Sequence, residues 1–402
     1  VKVGASFGAL TQRDFRNLFL ASSVSHVGDQ MVPVALSFAV LDLTGSVSDL
    51  GYVLAAGTVS LVTLLLAGGV IADRVSRRRL MMAADVVRLG AQGVLAALII
   101  SGHAHLWQLI VLEAVRGGAS AFFQPASTGI LPQIVAPESL QQANALRGLT
   151  MSVGGIAGPA IAGVLVVLSS PGWAIAANAA SFAVSAVFLS RIRAPVLDRE
   201  GVRRTFLADL LHGWREFRSR TWLWSIVAQF SVMHLVTLPP FLVLGAVLSK
   251  RELGGAGAWS AILALFSAGT LLGGLFALRM KISRPLLAAS LWNITIVLPI
   301  ALLALRIGAV PVAIGAFCAG FGGSIFGVLW ETTLQREVPA AALSRVSAYD
   351  WFGSTATLPI GFALVGPLSH SLGISGALWL GAAVALASSA AIVAIPDVRR
   401  VR

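Results

Sequence analysis

Asp29, Asp85, Arg88, Glu113, Arg116 and His234 are ionisable side chains embedded in long apolar runs of a 402-residue chain. A charge at the centre of a bilayer costs roughly 2.5 to 3.5 kcal/mol, so each of these groups calls for a partner or a task. Asp29 stands between His26 and Gln30 near the middle of the first run. A carboxylate there suits the gain and loss of a proton; it equally suits a fixed ion pair with Arg116, and the sequence leaves both open. Glu113 precedes Arg116 by three positions, neighbours on one helix face, and either neutralises it or shares its site. For His234 an interhelical hydrogen bond is the simpler reading. No H-E-x-x-H, paired C-x-x-C, G-x-S-x-G or G-x-x-x-x-G-K-[ST] pattern occurs. The sequence therefore implies no metal, no cofactor, no direct use of ATP and no enzyme.

The elements that must position these groups follow from composition. Hydrophobic residues make up 57% of the chain and charged ones only 11%, against about 25% charged in soluble domains. Apolar runs long enough to cross a bilayer recur from end to end. They predict an all-α polytopic protein with spans near 16 to 43, 47 to 71, 79 to 101, 106 to 129, 139 to 168 and 173 to 192. A second set follows near 222 to 249, 257 to 280, 284 to 306, 309 to 337, 342 to 369 and 374 to 395. The first run, preceded by Arg13 and Arg16, is too long for a cleaved leader and is expected to remain as a span.

With the amino terminus inside, the 29 Lys and Arg residues fall on the cytoplasmic side except Lys250, Arg251, Arg306 and the intramembrane Arg88 and Arg116. The positive-inside rule thus places both termini in the cytoplasm. The net charge of +12 sits in short clusters without interleaved aromatics, which argues against nucleic acid as a partner. Cys318, the single cysteine, lies in an apolar run and reads as a packed thiol.

One long basic connection, 193 to 221, separates an amino-terminal half, 1 to 192, from a carboxy-terminal half, 222 to 402. Within it Phe206, Leu207, Leu210, Leu211, Trp214 and Phe217 recur at helical spacing and predict an amphipathic helix on the inner membrane surface. The halves repeat. A shift of about 205 places Gly68, Gly69, Ala72 and Arg74 over Gly273, Gly274, Ala277 and Arg279, and a shift of about 203 places Gly158 and Gly163 over Gly361 and Gly366. Parallel six-helix repeats of this kind define a known transporter architecture.

Between the second and third spans the chain reads Gly69-Val-Ile-Ala-Asp73-Arg74-Val-Ser-Arg77-Arg78-Arg79. This resembles the G-x-x-x-D-R-x-G-R-R loop of the major facilitator superfamily, with Ser76 in place of the second glycine. Gly69 is expected to let helices approach, Asp73 and Arg74 to form part of a cytoplasmic gate, and Arg77 and Arg78 to face headgroups. In the second half Leu278 stands where the aspartate would be. The fifth span reads Gly154-Gly-Ile-Ala-Gly158-Pro159-Ala-Ile-Ala162-Gly163, similar to the antiporter motif of that superfamily's exporters. Its glycines predict a flat packing face, and Pro159 predicts a bend.

Gly28-Asp29, the Asp73-Arg74 loop, and the stretch from Phe123-Gln-Pro125 through Asn144 and Leu146 resemble the branch that includes macrolide exporters, actinobacterial multidrug pumps and the enterobactin exporter. The resemblance implies the major facilitator fold, in which spans 1, 4, 7 and 10 line the cavity. Asp29, Gln30, Glu113, Arg116 and His234 are then expected at the proton or substrate site. Asp85, Arg88, Arg147 and Asp350 are expected to brace the cytoplasmic gate. Trp292, Trp330, Tyr349 and Trp351 are either cargo contacts or interfacial aromatics.

The implied function is secondary export of a small lipophilic or amphiphilic drug or metabolite by proton antiport, from a monomer in the plasma membrane. Uptake is the alternative within transport; a receptor or lipid-handling membrane protein is the alternative outside it.

Overall fold

The computed structural model describes residues 9–136, 139–193, 214–280 and 282–401. The side chains of Leu66, Val70, Asp73, Gln141, Ala145, Ala340, Ala341, Ala342, Ser344 and Arg345 lie outside that description. The described residues are helical, with no strand among them.

In the first half, α1 (Arg13–Asp29) and α2 (Val32–Leu43) together make one span, followed by α3 (Val47–Arg74), α4 (Arg77–Ile100), α5 (Leu106–Ile134), α6 (Leu140–Leu168) and α7 (Pro171–Ser190). The second half opens with α8 (Thr221–Val236) and α9 (Leu238–Leu248), which a π turn at Ser249–Leu253 extends, and α10 (Gly255–Ala277). Next come α11 (Pro285–Asn293), a 3-10 turn at Ile294–Ile296, α12 (Val297–Ala304) and α13 (Ala309–Glu337). The chain ends with α14 (Ala340–Thr355), α15 (Leu358–Ala394) and α16 (Pro396–Arg400).

Proline and glycine set the breaks. The ring nitrogen of Pro33 has no hydrogen to give the Asp29 carbonyl one turn earlier, and the first span is interrupted at Gln30 and Met31. Pro239 and Pro240 divide α8 from α9 in the same way at Thr237. A continuous α15 of 37 residues would extend about 55 Å, against about 30 Å of hydrocarbon. Gly373, at φ 73° and ψ 163°, breaks it into the ends of two spans. Ten described segments are long and apolar enough to cross a bilayer, one of them, Val346–Ala394, being the pair that Gly373 divides. With α5 these account for the twelve spans read from the sequence.

The sidedness of α4 shows why this is a membrane fold. Asp85, Arg88 and Gln92 are buried, whereas Val86, Val87 and Val94 are about half exposed. Polar groups point inward and valines outward, the reverse of a soluble helix, because the exterior is lipid.

The chain divides into two compact units, one of Val1–Asp198 with Trp259–Ala264 and one of Arg199–Ala258 with Leu265–Arg402. In the first, Phe15, Leu18, Met81, Phe123 and Ile130 form a core. In the second, Trp222, Leu286, Phe326 and Trp330 do so. Each unit also joins its second and fourth spans through glycine. A Cβ on Gly68 would collide with the Ala121 carbonyl, and one on Gly273 with the Phe321 carbonyl. Gly69, expected from the sequence to make this approach, faces open space. The helical turn places its neighbour Gly68 at the contact instead.

Phe206 to Leu211 of the expected amphipathic helix lie outside the described residues. Residues 214–218 are helical, and Trp214 stacks on Phe217 at 5.7 Å and meets Tyr349 at 5.5 Å.

Candidate functional site

Asp29 ends α1 directly before the proline break, and glycines decide how closely its neighbours approach. Gly28 lies against α7, where a Cβ would come within 2.7 Å of Asn178 Oδ1. Gly158 lies against α1, where a Cβ would stand 2.5 Å from the Gln30 Cβ and 2.8 Å from the Val27 carbonyl. His26 completes the seam by donating from Nε2 to the Met151 carbonyl at 3.3 Å. The antiporter-like glycines of α6 therefore seat the helix that carries Asp29. Gly163 is buried, and α6 continues through Pro159.

The Asp29 carboxylate sits between two guanidinium groups. Oδ2 accepts from Arg88 Nη1 at 3.4 Å, and Oδ1 lies 3.9 Å from Arg116 Nη1. Each arginine already has a carboxylate of its own three residues earlier. Arg88 Nη2 bonds Asp85, whose other oxygen accepts from Ser185 at 2.7 Å. Arg116 bonds Glu113 at 2.8 Å, and Glu113 Oε1 accepts from Gln92 at 2.7 Å. The Arg88 guanidinium is further held between the rings of Phe123 and Phe182, 4.3 Å from each centroid.

Three carboxylates thus face two guanidiniums, and burial singles out the odd one. The Asp85 and Glu113 side chains are 0% and 1% exposed, whereas Asp29 is 28% exposed. Asp29 Oδ1 accepts no hydrogen bond, nor does the buried Ser22 hydroxyl find a partner. Both residues line a cavity of about 100 Å³ walled by α1, α4, α5 and α6. The Asp85 and Glu113 carboxylates are each covered and bonded to an arginine, and the third carboxylate is open to the cavity. Such an arrangement can exchange a proton or another cation at one oxygen without disturbing its supports.

These positions revise the expected grouping. Asp85 and Arg88, expected to brace the gate, join the Asp29 network, because the inward face of α4 turns Arg88 onto α1. Arg147 lines the same cavity and donates to Ser127, at 3.2 Å to Oγ and 3.4 Å to the carbonyl. Asp350 belongs to the second unit and lines a cavity there. His234 also lies in that unit, and its Nδ1 donates to the Ser354 carbonyl at 2.5 Å. Gly361 is the counterpart of Gly158, since a Cβ there would meet the carbonyls of His234 and Leu235 at 2.6 Å.

In the loop after α3, Arg77 donates to the Gly129 carbonyl and Arg78 to the Ile192 carbonyl, the latter at 2.6 Å. These arginines tie the start of α4 to α5 and to the end of α7, where headgroup contact was expected. Arg74 is exposed, and the Asp73 side chain is outside the described ones. Sequence reasoning passed over Gln92, Ser185 and Phe182, and it quoted Phe123 only as part of a motif. The spacing of Asp85, Arg88 and Gln92 on one face of α4 was the available signal for the first of them.

The Major Facilitator Superfamily model matches residues 18–361. Macrolide efflux protein A of Streptococcus pyogenes is 21% identical over 90% of both chains. The multidrug efflux pump Tap of Mycolicibacterium fortuitum is 26% identical over 89% of both. Among solved structures, the nucleoside transporter NupG superposes with a TM-score of 0.73 at 14% identity, covering 94% of this chain and 98% of that one.

Proposed function

This chain belongs to the major facilitator superfamily, a family of multi-pass membrane transporters and not enzymes, and on that premise we propose that it exports a small lipophilic or amphiphilic molecule in exchange for protons. The observation that carries the coupling is Asp29, a cavity-facing carboxylate beside two arginines that each already hold another acid. Protonation of Asp29 leaves the network with two charges of each sign, and deprotonation restores one negative charge in excess. A cycle that alternates between these states ties proton movement to the cavity. Export as the direction is supported by the efflux proteins among the relatives and by the α6 glycines. We place the monomeric chain in the plasma membrane with both termini cytoplasmic, as the distribution of Lys and Arg favours.

The test is transport in reconstituted vesicles under an imposed pH gradient, with a macrolide and ethidium as trial cargoes. Wild type is expected to accumulate cargo against its gradient, and Asp29→Asn to lose accumulation while retaining gradient-free exchange. Unchanged pH-driven accumulation by Asp29→Asn would remove Asp29 from the coupling step.

A further inference from the structure

The second unit holds a cavity of about 220 Å³ whose chemistry is opposite to that of the first. The first is lined by Arg88, Arg147, His26 and Asp29. Among the described residues, the second has Asp350 and Glu331 in its wall and neither Lys nor Arg. Asp350 is 9% exposed, and its Oδ2 accepts from the indole Nε1–H of Trp330 at 3.0 Å. Among the described residues no basic side chain forms a salt bridge with it. His234, the one basic group among the described residues of the wall, gives its Nδ1–H to the Ser354 carbonyl.

A carboxylate without a counter-ion in a span is costly, and nothing described in this unit neutralises it. Aromatic rings stand in the same wall. Phe230 and Phe326 meet at 4.9 Å, and Phe326 stacks on Trp330 at 6.1 Å with 14° between the planes. Trp351 adds a fourth ring, and it is 63% exposed. Ring faces attract a desolvated cation through their quadrupoles, and a buried carboxylate fixes where its charge sits. Trp330 serves both purposes, because its N–H orients the carboxylate while its ring belongs to the wall.

We propose that this cavity is a binding site for the cationic end of an organic amine, with Asp350 as the counter-ion and Phe230, Phe326, Trp330 and Trp351 as the cage. The proposal rests on the transport reading only in naming its cargo class. It requires no proton gradient, so the two fail separately. Asp29 exchanges charge in the first unit, while Asp350 selects positively charged cargo in the second.

The test is equilibrium binding of benzyltrimethylammonium to the purified full chain in detergent, followed by tryptophan fluorescence, with benzenesulfonate as a probe of similar size and opposite charge. Wild type is expected to bind the ammonium and not the sulfonate. Asp350→Asn is expected to weaken ammonium binding about tenfold or more, equivalent to about 1.4 kcal/mol, and Asp350→Glu to retain most of it. Equal affinities for the two probes in wild type, absence of ammonium binding, or an Asp350→Asn affinity equal to wild type would each overturn the site. Should Asp350→Asn not yield a monodisperse protein, the wild-type comparison of the two probes decides alone.

Discussion

Gly154 packs against the imidazole of His26 so closely that a Cβ added there would stand 2.5 Å from Cδ2. The same seam continues one turn later at Gly158, so the separation of α1 from α6 is set by two absent side chains. Overpacking a close contact costs about 1 to 3 kcal/mol. Gly158→Ala is therefore expected to lower the unfolding midpoint of the purified protein and to depress transport by moving Asp29. Gly148→Ala, on the same helix but facing open space, is expected to leave transport intact and to stabilise by up to about 1 kcal/mol. Equal effects of the two substitutions would show that the seam does not govern the site.

Asp85 and Arg88 form a sealed pair, 0% and 3% exposed. Removing one partner of a buried pair costs about 3 to 5 kcal/mol, whereas removing both with apolar replacements of similar volume is nearly neutral. Asp85→Asn is expected to lower thermal stability sharply, and Asp85→Asn combined with Arg88→Met to recover most of the loss. A double variant less stable than the single would refute the pairing. Transport should fail in the double variant, since Arg88 also touches Asp29.

A Cβ on Gly129 would lie 2.6 Å from the Arg77 Cζ, so Gly129→Ala should expel the guanidinium from the Gly129 carbonyl. Because one contact is lost either way, Gly129→Ala, Arg77→Ala and the double variant are expected to reduce the initial transport rate to a similar extent. A double-mutant cycle on rate and unfolding midpoint measures this. Strict additivity would mean that Arg77 acts elsewhere.

Pro33→Ala restores the donor that the Asp29 carbonyl lacks and removes the cause of the break at Gln30 and Met31. The variant is expected to unfold at a higher temperature and to turn over more slowly, as the end of α1 loses its freedom to reorient. A slower rate without increased stability would point to lost packing instead.

The spans were legible because lipid imposes length and hydropathy on every one of them. Even the division between the last two, read from the sequence between 369 and 374, coincides with Gly373. Asp29, Glu113 and Arg116 were legible as a group because a charge within an apolar run is conspicuous. Arg88 was equally conspicuous and was read with Asp85, which it does bond, but its second contact, with Asp29, was not foreseen. Its partner Asp29 is 59 residues away, and only the rotation of α4 about its axis brings the two together. Gly68 and Gly69 present the same difficulty at shorter range, for adjacent residues on a helix point about 100° apart.

Biosynthesis sets a requirement that the finished fold conceals. Among the spans, α5 is burdened with polar and helix-bending residues, for it carries Glu113, Arg116, Pro125 and Pro132. A translocon that sorts helices one at a time would release it into lipid poorly. The partners that make it tolerable are already made when it emerges from the ribosome. Gln92 of α4 bonds Glu113, Asp29 of α1 lies near Arg116, and Gly57 of α3 admits the backbone at Gly117. Chain order thus supplies the contacts to Glu113, Arg116 and Gly117 before the helix that depends on them, so α5 can join three spans already made.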